Sequence, residues 1–381
     1  MNAITFINAQ IVTLAETFHG HLHVVDGKIH SLDRGAIGPT AGPVYDLEGD
    51  YLLPGFVELH TDNLDKHAVP RANVVWPPRS AVLTHDAQMA TSGVTTVYDA
   101  ISLGDIKTGE EKLSVIQPLI EAIEHLSRDN KLRAQHFLHL RCELSYQDLM
   151  QVLNALAHGP LVRLISLMDH TPGQRQFASI DKYAEYYKGK LGFTDEALEI
   201  FMAERRAEQE KFAKPHRAGV IALARQLGVN LASHDDATAA HVDEAIEAGV
   251  VVAEFPTTMA AAKAATDAGL NVMGGAPNVV RGGSHSGNIA VLDLARAGHL
   301  SVLSSDYVPI SLVDAIFRLA AAEAMTLPQA VACASYNPAA IMGLTDRGQL
   351  AEGLVADMVQ VSHYEQMPII RGVWRQGQRI G

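Results

Sequence analysis

Leu53-Pro54-Gly55-Phe56-Val57-Glu58-Leu59-His60-Thr61-Asp62-Asn63 runs an apolar stretch directly into two side-chain types that bind metals. Side chains alternate across a strand, so a strand here directs Glu58, His60 and Asp62 to one side and Val57, Leu59 and Thr61 to the other. An imidazole and a carboxylate then meet at the strand's end. Taken alone, the pair is equally a His and an Asp at an ordinary strand-to-loop junction, and the rest of the chain decides between the readings.

On either side of this stretch the pattern changes. Residues 4–14 and 22–32 alternate or run apolar, with Asp26-Gly27 between parts of them, which predicts hairpin strands. Short Gly-punctuated strands recur over 348–359 and 373–380. We therefore expect a small β-sandwich domain built from both ends, residues 1–52 plus 347–381. Between them, apolar runs alternate with helical patterns, as in βα units of a parallel sheet. About eight such runs occur, the number needed to close a (β/α)8 barrel. They end near Asp62, Asp99, Glu143, His170, His234, Glu254, Pro277 and Asp306. The expected class is α/β, a TIM-like barrel over 53–346, with helices over 114–125, 195–211, 216–227 and 312–324. The long polar loop 171–194 follows the fourth strand, where barrel loops commonly carry function.

Composition agrees with one large globular unit. The 381 residues exceed a typical barrel of roughly 250, leaving room for the terminal addition. A hydrophobic fraction of 48% with 19% charged residues excludes a disordered chain. No segment approaches the roughly 20 apolar residues of a membrane span, and no secretory pattern opens the chain, so a cytoplasmic protein is expected. Cys142 and Cys333 are too few for a disulfide framework or a multi-Cys zinc site, and we expect buried thiols. A net charge of −13 argues against nucleic acid as a partner but not against a phosphorylated substrate met by a local basic pocket.

In a parallel barrel the strands' carboxyl ends converge at one mouth, so residues distant in sequence meet there. In Gln135-His136-Phe137-Leu138-His139-Leu140-Arg141-Cys142-Glu143-Leu144, alternation puts His139, Arg141 and Glu143 on one face. Arg141 and Glu143 either pair with each other or serve a site. His234 ends the fifth strand and Glu254 the sixth. Asp306 ends the eighth, either as a working carboxylate or as a cap on the following helix.

The Pro54-Gly55 turn, the apolar run and the pair at the strand's end resemble the first barrel strand of the amidohydrolase superfamily, where the usual pair is His-x-His and the second His is here Asp62. A Gly-x-x-Ala-Asp element near the carboxyl end, Gly353 to Asp357, also fits that superfamily. The resemblance implies metal ligands at His60, Asp62, Glu143, His234 and Asp306. Glu143 would substitute for a bridging lysine that the fourth strand, Val162 to His170, lacks. The sixth strand departs from the pattern, offering Glu254 where a His is common, and His170 would make up the deficit. Asp306 would be the catalytic carboxylate that accepts the attacking water's proton. Such an oxygen- and nitrogen-rich set suits one or two divalent ions, zinc first, with manganese, iron or cobalt as alternatives.

Longer motifs narrow the resemblance to one branch of the superfamily. They include His60-Thr61-Asp62-Asn63-Leu64-Asp65-Lys66-His67, Thr171-Pro172-Gly173-Gln174-Arg175 and Arg281-Gly282-Gly283-Ser284-His285-Ser286-Gly287-Asn288. The implied reaction splits a ribose 5-triphosphate bearing a 1-methylphosphonate into the 5-phosphate and pyrophosphate, during phosphonate catabolism by the carbon-phosphorus lyase route. Triphosphate recognition needs cationic and amide donors. The candidates are Lys66, Arg71, Arg141, Arg175, Lys188, Arg281 and His285, with Lys182 nearby. For each the plainer alternative is a solvated surface charge, and for the Gly-rich loop an ordinary turn. Rival readings are a deaminase or cyclic amidase on the same barrel, and a non-catalytic scaffold of a phosphonate-pathway complex. A homodimer and transient contacts with other proteins of that pathway are the expected associations.

Overall fold

The structure, a computed structural model, describes residues 3–35, 42–71, 74–104, 109–175, 184, 188, 193–284 and 287–381. Five strands precede the barrel: β1 (Ala3–Val12), β2 (Thr17–Val25), β3 (Lys28–Asp33), β4 (Val44–Asp46) and β5 (Tyr51–Pro54). Asp26 and Gly27 link β2 to β3 with φ of 47° and 80°. That left-handed pair is what a two-residue hairpin turn requires, and Asp-Gly supplies it at low cost.

The barrel strands are β6 (Phe56–Thr61), β7 (Val94–Ser102), β8 (Gln135–Glu143), β9 (Val162–Met168), β10 (Asn230–His234), β11 (Val250–Glu254), β12 (Asn271–Gly275) and β13 (Val302–Ser304). They pair in parallel in sequence order. A bridge between Thr61 and Asp306 joins the first strand to the end of the last. Glu58 stitches this seam. Its fully buried carboxylate accepts hydrogen bonds from Ser304 Oγ (2.9 Å) and the Ser305 amide (2.6 Å).

The C-terminal strands β14 (Met358–Tyr364), β15 (Met367–Arg375) and β16 (Gln378–Arg379) return to the N-terminal sheet, in the order β16-β15-β14-β5-β1-β2-β3 with β4 beside β1. Trp374 anchors that sheet's core, its ring edge-on to Phe6 at 5.0 Å. The barrel joins the sheet at Gly55, whose amide donates to Asp357 O (2.8 Å). A Cβ there would lie 2.4 Å from Thr95 Oγ1, so the Pro54-Gly55 step needs glycine for close approach.

One apolar cluster draws a residue from every barrel strand: Val57 and Leu59, then Tyr98, Phe137, Leu164, Ala232, Val252, Met273 and Val302. This is the filled barrel interior. It also corrects the expected alternation. Leu59 belongs to the interior cluster while the next residue, His60, joins the polar mouth. Glu58 pairs beside Val97 and Thr61 beside Asp99, so β6 holds one extra residue there, and a bulge of this kind re-aims side chains.

The helices predicted over 195–211 and 216–227 are one helix, Asp195–Leu227, running through Pro215. Thr194 caps its start by accepting from the Ala197 amide, and Gly228, at φ 67°, ends it. Both cysteines are buried and free. No helix among the described residues is long and apolar enough to cross a membrane.

Candidate metal centre at the barrel mouth

Six side chains, five at or just past strand ends and His139 from the middle of β8, converge in two groups of three. His60, His139 and Glu254 form one group; His170, His234 and Asp235 form the other. His60 Nδ1 lies 3.1 Å and His139 Nε2 3.6 Å from Glu254 Oε1. In the second group, Asp235 Oδ2 lies 3.4 Å from His234 Nε2 and 3.5 Å from His170 Nε2. Glu254 joins the two, because its other oxygen is 3.0 Å from His234 Nδ1. The His60 and His234 rings stack at 5.4 Å, and Phe255 stands edge-on to both.

Backbone geometry at the strand ends aims these groups. Asp235, Phe255 and Asp306, each following a barrel strand, adopt φ of 56°, 51° and 52°. Left-handed non-glycine residues are uncommon and tend to collect where function demands an unusual direction.

The donor set fits divalent ions. His139 donates Nδ1–H to Leu59 O (3.0 Å), which leaves the lone pair on Nε2, and that buried atom has no hydrogen-bond partner. Asp235 Oδ2 is buried and equally unsatisfied. Orphaned buried polar atoms are costly, and one in each of the two linked groups is accounted for by cations. Burial holds His60 and His234 well below the usual histidine range, with the Arg141 charge adding to it, and burial takes His139 to about 3. Neutral imidazoles are the state that ligates. His170 differs: burial opposes its charge, but the neighbouring Asp235 and Glu143 carboxylates outweigh it and raise it to about 9. The nitrogen and oxygen donors suit zinc, manganese, iron or cobalt.

The two groups differ in membership from the ligand set expected from sequence. His60, His170 and His234 are brought together as anticipated. Asp62 lies outside both groups and faces Arg141 Nη1 at 3.5 Å. Glu143 also lies outside them and takes His170 Nδ1 at 2.8 Å, along with Ser145 Oγ (2.9 Å), so it orients His170 from behind. Arg141 and Glu143 therefore serve different partners instead of each other. Sequence reasoning missed His139 and Asp235 and underweighted Glu254. The signal for His139 was present, since it shares a face with Arg141 and Glu143. Asp235 was hidden because its direction depends on a left-handed turn.

Asp306 stands at the seam, its amide held by Ser304 Oγ (3.0 Å) and its carbonyl by Thr61 Oγ1 (2.8 Å). Burial, then the neighbouring Asp62 charge, raises its carboxyl to about 7. It does not cap the next helix, Ser311–Ala321, whose N-cap is Ile310.

Among the described residues of the expected phosphate contacts, only Arg141 acts on both groups, through its charge on His60 and His234. Its buried Nε has no hydrogen-bond partner. Arg175 is buried and bonded to Asp236 and to Glu244 (3.3 Å), so it holds the β10 turn. Lys66 donates to the Tyr307 carbonyl and Lys188 pairs with Asp195. Arg71 is exposed, as is Arg281, which ends the short helix Ala276–Arg281. His285 and Lys182 lie outside the described residues.

Comparison with known proteins agrees with this architecture. Residues 51–381 match the model of the amidohydrolase family. The alpha-D-ribose 1-methylphosphonate 5-triphosphate diphosphatase of Escherichia coli (strain K12) is 46% identical over 375 residues, covering 98% of this chain and 99% of the relative. Among solved structures, the N-acetylglucosamine-6-phosphate deacetylase of Pasteurella multocida superposes with a TM-score of 0.66 at 12% identity, covering 99% of both chains. The 5-methylcytosine deaminase of Klebsiella pneumoniae gives 0.65 at 15% identity, covering 99% of this chain and 97% of that one. The βα barrel with its terminal sheet, the histidine and carboxylate groups at its mouth and the match over 331 residues (51 through 381) have one common explanation: this chain belongs to the amidohydrolase family.

Proposed function

We propose that the protein hydrolyses ribose 1-methylphosphonate 5-triphosphate to the 5-phosphate and pyrophosphate, using one or two divalent ions, zinc in the first instance. The observation that carries this reading is the paired His60, His139, Glu254 and His170, His234, Asp235 groups in a chain matching a named diphosphatase along nearly its whole length. Divalent ions held there would lower the pKa of water and polarise phosphoryl oxygens. Asp306 accepts the proton as water attacks the phosphorus nearest the ribose, and the bond to the departing pyrophosphate breaks. Arg141, the cation coupled to both groups, stabilises charge as it builds on the phosphoryl oxygens and leaving group. Phe255 stands edge-on to the His60 and His234 imidazoles and helps to fix their planes.

The test follows phosphorus-31 signals after metal-loaded protein is added to the sugar triphosphate, with ATP in parallel. Pyrophosphate and 5-phosphate with an intact phosphonate signal support the reading, and the ATP sample measures selectivity. No change in either sample, with metal bound, overturns it in favour of a deaminase or cyclic amidase. Purification without stoichiometric metal would instead favour a scaffold.

A further inference from the structure

We propose that the terminal β-sheet carries a second, independent transition-metal site, formed by His21 and His23 of β2 with Asp33 at the end of β3. Ligating atoms of the three residues all lie within 4.8 Å of one another. His21, His23 and Asp33 share a sheet face because His21 pairs opposite Asp33 and His23 opposite Ser31, while Phe18, Leu22 and Val24 point into the sheet's core. The two imidazoles meet edge-on at 5.6 Å.

What separates this cluster from an ordinary polar network is the spacing of its donors. His21 Nε2 and Asp33 Oδ2 stand 3.8 Å apart, beyond hydrogen-bond range. Donors around a tetrahedral ion at 2.0–2.1 Å sit about 3.4 Å from each other, so a cation would need only a small closure of the His21–Asp33 pair. The buried His85, Asp99 and His136 trio makes the contrast. There each carboxylate oxygen of Asp99 already takes a histidine nitrogen at 2.7 Å, and the other histidine nitrogens have partners as well. That trio is satisfied without a cation.

Groups behind the ligands hold them in place. Thr5 Oγ1, fully buried in β1, lies 2.9 Å from His23 Nδ1; with Nδ1 donating to it, the lone pair is on Nε2. Ser31 Oγ donates to Asp33 Oδ2 at 2.8 Å and fixes the carboxylate. Asp33 is half exposed, which leaves the site open to incoming ions and to a water as fourth ligand. Two imidazoles and one carboxylate suit zinc, copper or nickel in their divalent states. An ion here would tie β3 to β2, on the sheet and away from the barrel mouth.

Equilibrium dialysis of the metal-stripped full chain against zinc ions counts bound equivalents. The native protein should bind one equivalent more than His23→Gln, with turnover of the variant unchanged, and Glu254→Gln should retain that extra ion. Thr5→Val should weaken it by about 10–100-fold, as loss of a supporting partner does. Copper(II) resonance should show nitrogen coupling that disappears in His23→Gln. Because His21 is buried, the solvent-facing Asp33→Asn supplies a second variant without risk to the fold, and it too should lose the ion. Equal counts in the native protein, His23→Gln and Asp33→Asn overturn the proposal.

Discussion

Glu254 Oε2 lies 3.0 Å from His234 Nδ1, while Oε1 of the same carboxylate lies 3.1 Å from His60 Nδ1. A single side chain on the sixth barrel strand thus links the two candidate metal groups. Glu254→Gln keeps the shape and removes the charge, so metal content should fall and turnover drop by several orders of magnitude. Full metal occupancy in a folded Glu254→Gln protein would remove Glu254 from the centre.

His139 and Asp62 separate the geometric ligand set from the one expected on sequence. We expect His139→Asn to lose a metal equivalent, since its orphaned Nε2 has no other role. Asp62→Asn should keep the metal and change substrate affinity through Arg141, which Asp62 faces at 3.5 Å. The reverse pattern in elemental analysis would restore Asp62 as a ligand.

Asp306 sits outside both groups yet next to them. Its replacement by Asn should slow turnover by about 10²–10⁴-fold with metal retained, the usual contribution of a positioned proton acceptor. Near-normal rates would exclude it from that role.

His136 makes stability depend on pH. Its ring lies between Asp99 (2.7 Å) and Asp86 (3.1 Å); burial opposes its charge, but the two carboxylates outweigh burial and raise it to about 9. A folded value above the unfolded value of about 6.5 stabilises fully below that pH and is lost as pH rises through 9. Burial raises Asp99 and Asp86, but the histidine partners, helped at Asp86 by the Arg133 and Ala134 amides, leave both lowered. Their contribution is present above an unfolded value of about 4 and is lost as pH falls through the lowered folded values. The thermal midpoint should therefore decline from pH 6.5 to 9. His136→Gln should lower the midpoint at pH 6 and flatten that decline; an unaltered slope would show that other groups set it.

Gly55→Ala should destabilise the joint between barrel and sheet by about 1–3 kcal/mol, the usual cost of an overpacked site. The added methyl meets Thr95 Cγ2 at 2.7 Å and Asp357 Cβ at 3.0 Å. An unchanged unfolding midpoint would mean that Thr95 moves aside freely.

Barrel strands were legible because both faces of a parallel strand are buried and each run stops at a turn. Seven of the expected run ends fall within a few residues of the observed strand ends; β7 continues past Asp99 to Ser102. The site was less legible than the fold. His60, His170 and His234 could be read because a histidine ending an apolar run is unusual. Asp62 and Glu143 were expected as ligands from the resemblance; in the structure they face Arg141 and His170 instead, pairings made by residues 79 and 27 positions away. Arg175 was read as a phosphate contact from its place in the loop, but its partners Asp236 and Glu244 come from 61 and 69 positions away.

Local sequence by itself determined the succession of eight strands, the Asp26-Gly27 hairpin and the histidines available for ligation, since each depends on neighbours within a few residues. Only the tertiary structure decided which carboxylates face those histidines. Glu254 meets His60 across 194 positions, and the Glu58 carboxylate is claimed by Ser304 and Ser305 at the barrel seam. The reason is geometric: closing the barrel sets the relative height of each strand end, and a shift of one residue changes which side chain reaches the mouth.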